Sequence, residues 1–147
     1  YELDYGATIC EDGSLNNCCE YINPLQLSFG NVDLENGTME ILIVIPEYED
    51  ILDYVYGFQF NVEGVTLIGG SGGLAAAADF TVSTGGNTIL GFSFNGDYIG
   101  QNEGVLTTLS FSSNLNTACM ELGTGGFANG YNPPSYIPVQ IGDCYDF

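Results

Sequence analysis

Three stretches of this chain alternate between large apolar residues and polar or small ones. In VYGFQFNV, Tyr56, Phe58, Phe60 and Val62 fall on one side and Gly57, Gln59 and Asn61 on the other. In TILGFSFN, Leu90, Phe92 and Phe94 share a side, opposed by Gly91, Ser93 and Asn95. In VLTTLSF, Val105, Thr107, Leu109 and Phe111 alternate with Thr108 and Ser110. Successive side chains of an extended backbone point to opposite faces. A period of two, carried by aromatic and β-branched residues, therefore predicts strands with one buried face.

The rest of the chain reads as further strands between turns. Leu25, Leu27 and Phe29 share a face after Pro24, and Thr38 to Ile45 (TMEILIVI) is apolar on nearly both faces. A strand of that kind is expected at the centre of a sheet, covered on both sides, with a second subunit as one candidate cover. Short strands are expected at Val65 to Ile68 and from Phe80. In GGSGGLAAAA the glycines predict a loop and the alanines one helical turn. Gly85-Gly86-Asn87 is a hairpin signal. Thr88 to Asn95, Val105 to Ser112 and Cys119 to Leu122 follow as strands. Gly123 to Pro134 reads as a long loop, and Tyr136 to Ile141 as a closing strand. Strands recurring at this spacing, with no repeat or linker, predict an all-β sandwich of eight or nine antiparallel strands over residues 24–147. Residues 1–23 are expected to be an irregular, cysteine-bearing arm, in whose sequence Leu3, Tyr5, Ala7 and Ile9 alternate with polar or small residues.

Charge restricts the partners. The 147 residues include 19 Asp and Glu and no Lys, Arg or His, a formal charge of −19. Carboxylates within the chain have no cationic side chain to pair with and repel one another, which favours solubility over compactness. Nucleic acid and anionic membrane are disfavoured as partners by the same sign of charge. Trypsin-like proteases find no cleavage site. A neutralising cation must come from outside, Ca²⁺ being the simplest choice for hard oxygen ligands. Without His or Lys the usual general bases and cationic stabilisers are missing, so the chain is not expected to be an enzyme. A chain beginning at Tyr1 without an apolar leader is expected to be a processed product.

Cys10, Cys18, Cys19, Cys119 and Cys144 in an acidic β-rich chain point to disulfides and an oxidising, extracellular setting. Cys119 and Cys144 flank the last long loop and are expected to pair. Cys10 is expected to close a small loop with Cys18 or Cys19, and the odd thiol to stay free or to bond another chain. Glu47, Glu49, Asp50 and Asp53 cluster as a candidate calcium site, with Asp33 and Glu35 as a second acidic group. Asn36-Gly37-Thr38 is a glycosylation sequon in a turn. Tyr48, Tyr54, Tyr98, Tyr131 and Tyr136 fall near loops, where they suit glycan stacking or a protein interface.

The run GFQFNVEGVTL, and NEG followed by VLTTLSF, resemble the cohesin modules. These carry a strand of the form x-F-Q-F-x-L-x-Y and, near their end, D-G-V-L-A-T-I-x-F. The resemblance spans Leu27 to Phe111 and extends weakly to Cys144. It implies a jelly-roll-like sandwich in a secreted, cell-surface or scaffold protein, and a dockerin as the kind of partner. The family's acidic-Pro turn is replaced here by Glu63-Gly64. Two functions follow as expectations. One is a non-catalytic secreted structural subunit that self-associates into a homopolymer, an extracellular filament or surface layer, by strand addition and an intermolecular disulfide. The other is a cohesin-like adhesion module for a dockerin-like domain or a glycan.

Overall fold

The computed structural model describes residues 23–147, so Cys10, Cys18, Cys19 and the N-terminal arm lie outside the described residues. Nine strands follow in order: β1 (Leu25–Asp33), β2 (Thr38–Ile45), β3 (Gly57–Ser71), β4 (Thr81–Gly85), β5 (Thr88–Phe92), β6 (Asn102–Ala128), β7 (Tyr136–Ile137), β8 (Val139–Ile141) and β9 (Tyr145–Asp146). A 3-10 turn at Ile51–Asp53 precedes β3, and one short helix, α1 (Gly73–Ala77), precedes β4. The principal order across the sheet is β4-β5-β3-β6-β2-β1-β8.

The fold is an all-β sandwich, and its two layers share their longest strands. The 27 residues of β6 pair with β2 over Asn102 to Ser110 and with the start of β3 over Cys119 to Ala128. Repeated register shifts between β3 and β6, at Gln59/Asn61, Glu63/Val65 and Thr66/Leu67, bend the sheet over itself. This is why the two short strands expected at Val55 to Val62 and Val65 to Ile68 are one continuous β3. Pairing with β3 and β7 likewise extends β6 through Gly123 to Ala128, in the expected loop.

Between the layers lies one apolar core. Phe58, Phe60 and Phe127 are fully enclosed with near-parallel rings, Phe58 and Phe127 having centroids 5.4 Å apart and Phe60 and Phe127 5.9 Å. Enclosing each such ring contributes about 1.5–3 kcal/mol relative to leaving it in water. Strand β2 is central, between β1 and β6, as its composition predicts. Only its Met39, Ile41, Ile43 and Ile45 face is buried, while Leu42 and Val44 stay half-buried on the outside.

One of the three opening alternations is reversed, and another holds at Thr107, Leu109 and Phe111 but shifts at Val105. In β5 the buried residues are Ile89 and Gly91, not the expected Leu90, Phe92 and Phe94. Space decides this: a β-carbon on Gly91 would overlap the Phe58 ring, so this strand presents its residue without a side chain to the core. In β6 the pairing steps from Ile41↔Thr107 to Leu42↔Val105. Leu106 is the extra residue of that bulge and is fully buried next to Thr107, whose hydroxyl donates to the Ser71 carbonyl at 3.2 Å. Val105 is displaced from the core accordingly.

The C-terminal strands close the edges. Against the antiparallel expectation, β8 runs parallel to β1 over Leu25 to Leu27, following Pro138, whose carbonyl accepts from the Leu25 amide at 2.9 Å. A disulfide joins Cys119 on β6 to Cys144, holding β9 against Thr117 and Ala118.

Candidate functional site

The outward turn of β5 creates an apolar surface on the β4–β5–β3–β6 layer. Residues paired across a sheet share a face. Phe92 therefore lies in one row with Thr81 of β4, Gly57 of β3, Ala128 of β6 and Tyr136 of β7. The next row holds Ser83, Leu90, Gln59 and Gly126. Tyr136 lies beside Gly126, where a β-carbon would stand 2.9 Å from Cδ1 of the ring. Leu90 is 39% exposed, Phe94 80% and Tyr136 65%. Phe94 meets Phe92 edge to face at 4.9 Å. The turn behind them is held by Ser93, whose hydroxyl accepts from the amides of Asn95 and Asp97 and donates to the Asp97 carboxylate at 2.9 Å. A rigid turn that exposes a phenylalanine does so at the expense of apolar hydration, which suits a surface that is covered in use.

A second aromatic group closes one end of the sandwich. Val55 and Ile99 form an antiparallel bridge, with the Ile99 amide donating to Val55 at 2.8 Å. The bridge sets Tyr54 and Tyr56 beside Tyr98. Tyr98 stacks on Tyr56 at 5.2 Å and on Tyr54 at 6.1 Å, and Tyr54 meets Tyr48 at 5.3 Å. Tyr54 is anchored through its hydroxyl, which accepts from the Tyr48 amide at 2.9 Å and donates to the Tyr48 carbonyl at 3.3 Å. The Tyr48 hydroxyl donates to the Asn23 carbonyl at 2.7 Å. From the C-terminal side, Gly130 abuts the Tyr56 ring and the Tyr131 hydroxyl donates to Asp53 at 2.9 Å.

Four of the five tyrosines expected near loops thus converge, and Tyr136 stands on the sheet face instead. Tyr56, read from its alternation as a strand residue, completes the row, because its strand starts only at Gly57. Desolvation pushes the pKa of the Tyr48 phenol up to about 12, with Tyr54 and the Asp53 charge adding to it. Tyr56 is raised by desolvation, then by Tyr98 and the Asp50 charge.

The expected acidic cluster lies around the 3-10 turn at Ile51–Asp53. No three acidic, histidine or cysteine residues converge as metal ligands among the described residues. Asp50 instead caps the 3-10 turn by accepting from the Leu52 amide at 3.0 Å, and Asp53 accepts from Tyr131. Asp33 also serves its own turn, accepting from the amides of Glu35 and Asn36 and from the Asn36 side chain at 2.8 Å. These bonds, the Asn36 side chain first, hold its carboxyl below the usual range. Asn36 is exposed, as a sequon requires, but its amide nitrogen is engaged by Asp33.

The remaining surface is shallow. A groove of about 270 Å³ runs between the ends of β1 and β8, lined by Gln26, Ser28, Gln140 and Gly142 among others. No helix among the described residues is long and apolar enough to cross a membrane. Among those residues every buried side-chain nitrogen or oxygen has a hydrogen-bond partner.

No protein-family model matches the chain, and no curated protein does. Among solved structures it is similar to the seventh ScaB type I cohesin from Pseudobacteroides cellulosolvens, with a TM-score of 0.53 and 16% identity, over 81% of this chain and 88% of that one. The fold is therefore a cohesin-like β-sandwich.

Proposed function

We propose that the chain is a non-catalytic, extracellular binding module that docks a partner protein on the outer face of its β4–β5–β3–β6 layer. The observation that carries this reading is the side of β5 turned to solvent. Leu90 and Phe94 stand out from a regular sheet, with Tyr136 across a floor of Gly57 and Ala128. An apolar centre on a rigid surface is what protein interfaces bury. The cohesin-like fold makes a dockerin-like domain the first partner to test. Calorimetric titration with a type I dockerin is expected to show binding that Leu90→Asp and Phe94→Asp each weaken at least tenfold. Binding unchanged by both substitutions would remove this face from the reading, and no binding to any dockerin would remove the partner.

A second reading, assembly into a filament, is supported by the sheet edge. Among the described residues β8 partners β1 only over Leu25 to Leu27, leaving Ser28 to Asp33 without a strand on that side. An incoming strand of another copy would add there, and an unpaired N-terminal cysteine would lock it. The charge of −19 on every copy opposes such assembly. Negative-stain microscopy and non-reducing gels test it: fibres and covalent ladders are expected under this reading, and single particles at high salt exclude it.

A further inference from the structure

We propose that Tyr98 and Tyr56, in a row that ends on the buried Tyr54 at the end of the sandwich, seat a cationic side chain, arginine or lysine, from a partner protein. The site lies at the end of the layers, apart from the outer sheet face, and the inference does not rest on the docking reading above.

Three features converge on it. First, the rings are built into place. The Val55–Ile99 bridge sets their spacing, the Tyr54 hydroxyl is bonded to both the amide and the carbonyl of Tyr48, and Gly130 backs Tyr56. Second, the rings are enclosed to different degrees: Tyr54 is only 8% exposed, whereas Tyr56 is half-buried and stacks on Tyr98 at 5.2 Å and 24°. Tyr98 remains 38% exposed and Tyr131, bonded to Asp53, 39%. The face of a phenol ring carries negative charge density that attracts an ammonium or guanidinium within about 6 Å.

Third, the surrounding charge has one sign. Asp50 and Asp53 lie close enough for their charges to be felt by the Tyr56 and Tyr48 phenols. The chain has no Lys, Arg or His, so no side chain of its own can occupy the seat or neutralise these carboxylates. A free metal ion is a poorer occupant, since Asp50 and Asp53 are committed to the turn and to Tyr131 and no third ligand joins them among the described residues. A planar guanidinium suits the site best, because it stacks on an aromatic face while donating to carboxylates at its edge.

The test uses a short Gly-Arg-Gly-Arg-Gly peptide, its citrulline counterpart, and cellohexaose, each titrated into the full chain while tyrosine ring resonances are followed by NMR. The arginine peptide is expected to shift the Tyr98 and Tyr56 rings. Tyr98→Leu is expected to weaken it by about threefold, and Tyr98→Phe, which keeps the ring, to bind as the parent does. Asp50→Asn, which keeps the cap but not the charge, is expected to weaken it as well. Because Tyr98→Leu removes packing, its melting temperature is measured alongside. If that variant is unfolded, Asp50→Asn and the citrulline peptide decide. Equal shifts from the citrulline peptide, parental affinity in Asp50→Asn or in a folded Tyr98→Leu, or a response of these rings to cellohexaose alone would each overturn the proposal.

Discussion

Gly91 lies directly against the ring of Phe58, and no β-carbon fits between them. This contact turns β5 so that Ile89 and Gly91 face the core and Leu90 faces solvent. Gly91→Ala is expected to lower stability by about 1–3 kcal/mol, the usual cost of forcing an extra carbon into a packed interior. Phe58→Leu alone is also destabilising, but combined with Gly91→Ala it is expected to cost less than the sum of the two. Urea melts of the four proteins of this double-mutant cycle measure the coupling; additive losses would show that the two residues are not in conflict.

Phe94 makes the opposite prediction. It is 80% exposed, so Phe94→Ser is expected to leave the unfolding free energy within about 0.5 kcal/mol of the parent. Binding of an apolar dye to the folded protein is expected to fall in the same variant. A large loss of stability would mean that Phe94 supports the core from outside.

The disulfide between Cys119 and Cys144 closes a segment of 25 residues. Replacing both cysteines by serine is expected to cost about 3 kcal/mol, largely through the freedom returned to the unfolded chain. Its local effect is expected at Tyr145 and Asp146, whose only strand partner among the described residues is β6 at Thr117 and Ala118. Hydrogen exchange should accelerate there before it does in β2.

Tyr48 provides an alkaline signature. Its folded value of about 12 lies above that of an exposed phenol, so the neutral form is favoured by folding. That contribution is complete below the unfolded phenol value near pH 10 and is lost as pH rises through about 12. Absorbance titration of phenolate formation should show a late-ionising tyrosine that is absent in Tyr48→Phe. If the variant and the parent titrate alike, the burial of Tyr48 is not what delays it.

Asp33 provides an acid one. Its carboxyl is depressed chiefly by the Asn36 side chain, so its contribution is present above the ordinary carboxylate value and lost as pH falls through the depressed folded value. The melting temperature of Asp33→Ala is expected to lie below the parent's between about pH 5 and 7, and the gap to close below about pH 4. The difference is the right quantity, because protonating the other carboxylates relieves repulsion in both proteins.

Much of the sandwich is legible in the sequence. Phe58, Phe60 and Val62 alternate as they are buried, the β4–β5 hairpin turns at Gly86 and Asn87, and β2 occupies the sheet centre that its composition requires. The joining of two expected strands into β3 is not legible, because bulges are a matter of pairing and not of local preference. The extension of β6 through a glycine-rich run has the same origin: Gly126 is held by pairing with Gln59, against its own propensity. The acidic loop at Glu47 to Asp53 shows a limit of another kind. Proximity along the chain placed four carboxylates together, but one was committed to a cap and another to a tyrosine far away in sequence.

From the order of residues alone come the strand content, the single sign of charge, and so the demand that any counter-charge be supplied by something else. Alternation defines two faces of a strand but cannot say which is inside when both carry bulky residues or when one carries none. That choice needed the neighbouring ring of Phe58, and the tyrosine row needed a bridge between Val55 and Ile99. Both are contacts between segments distant along the chain, and only the folded sheet brings their atoms within van der Waals range.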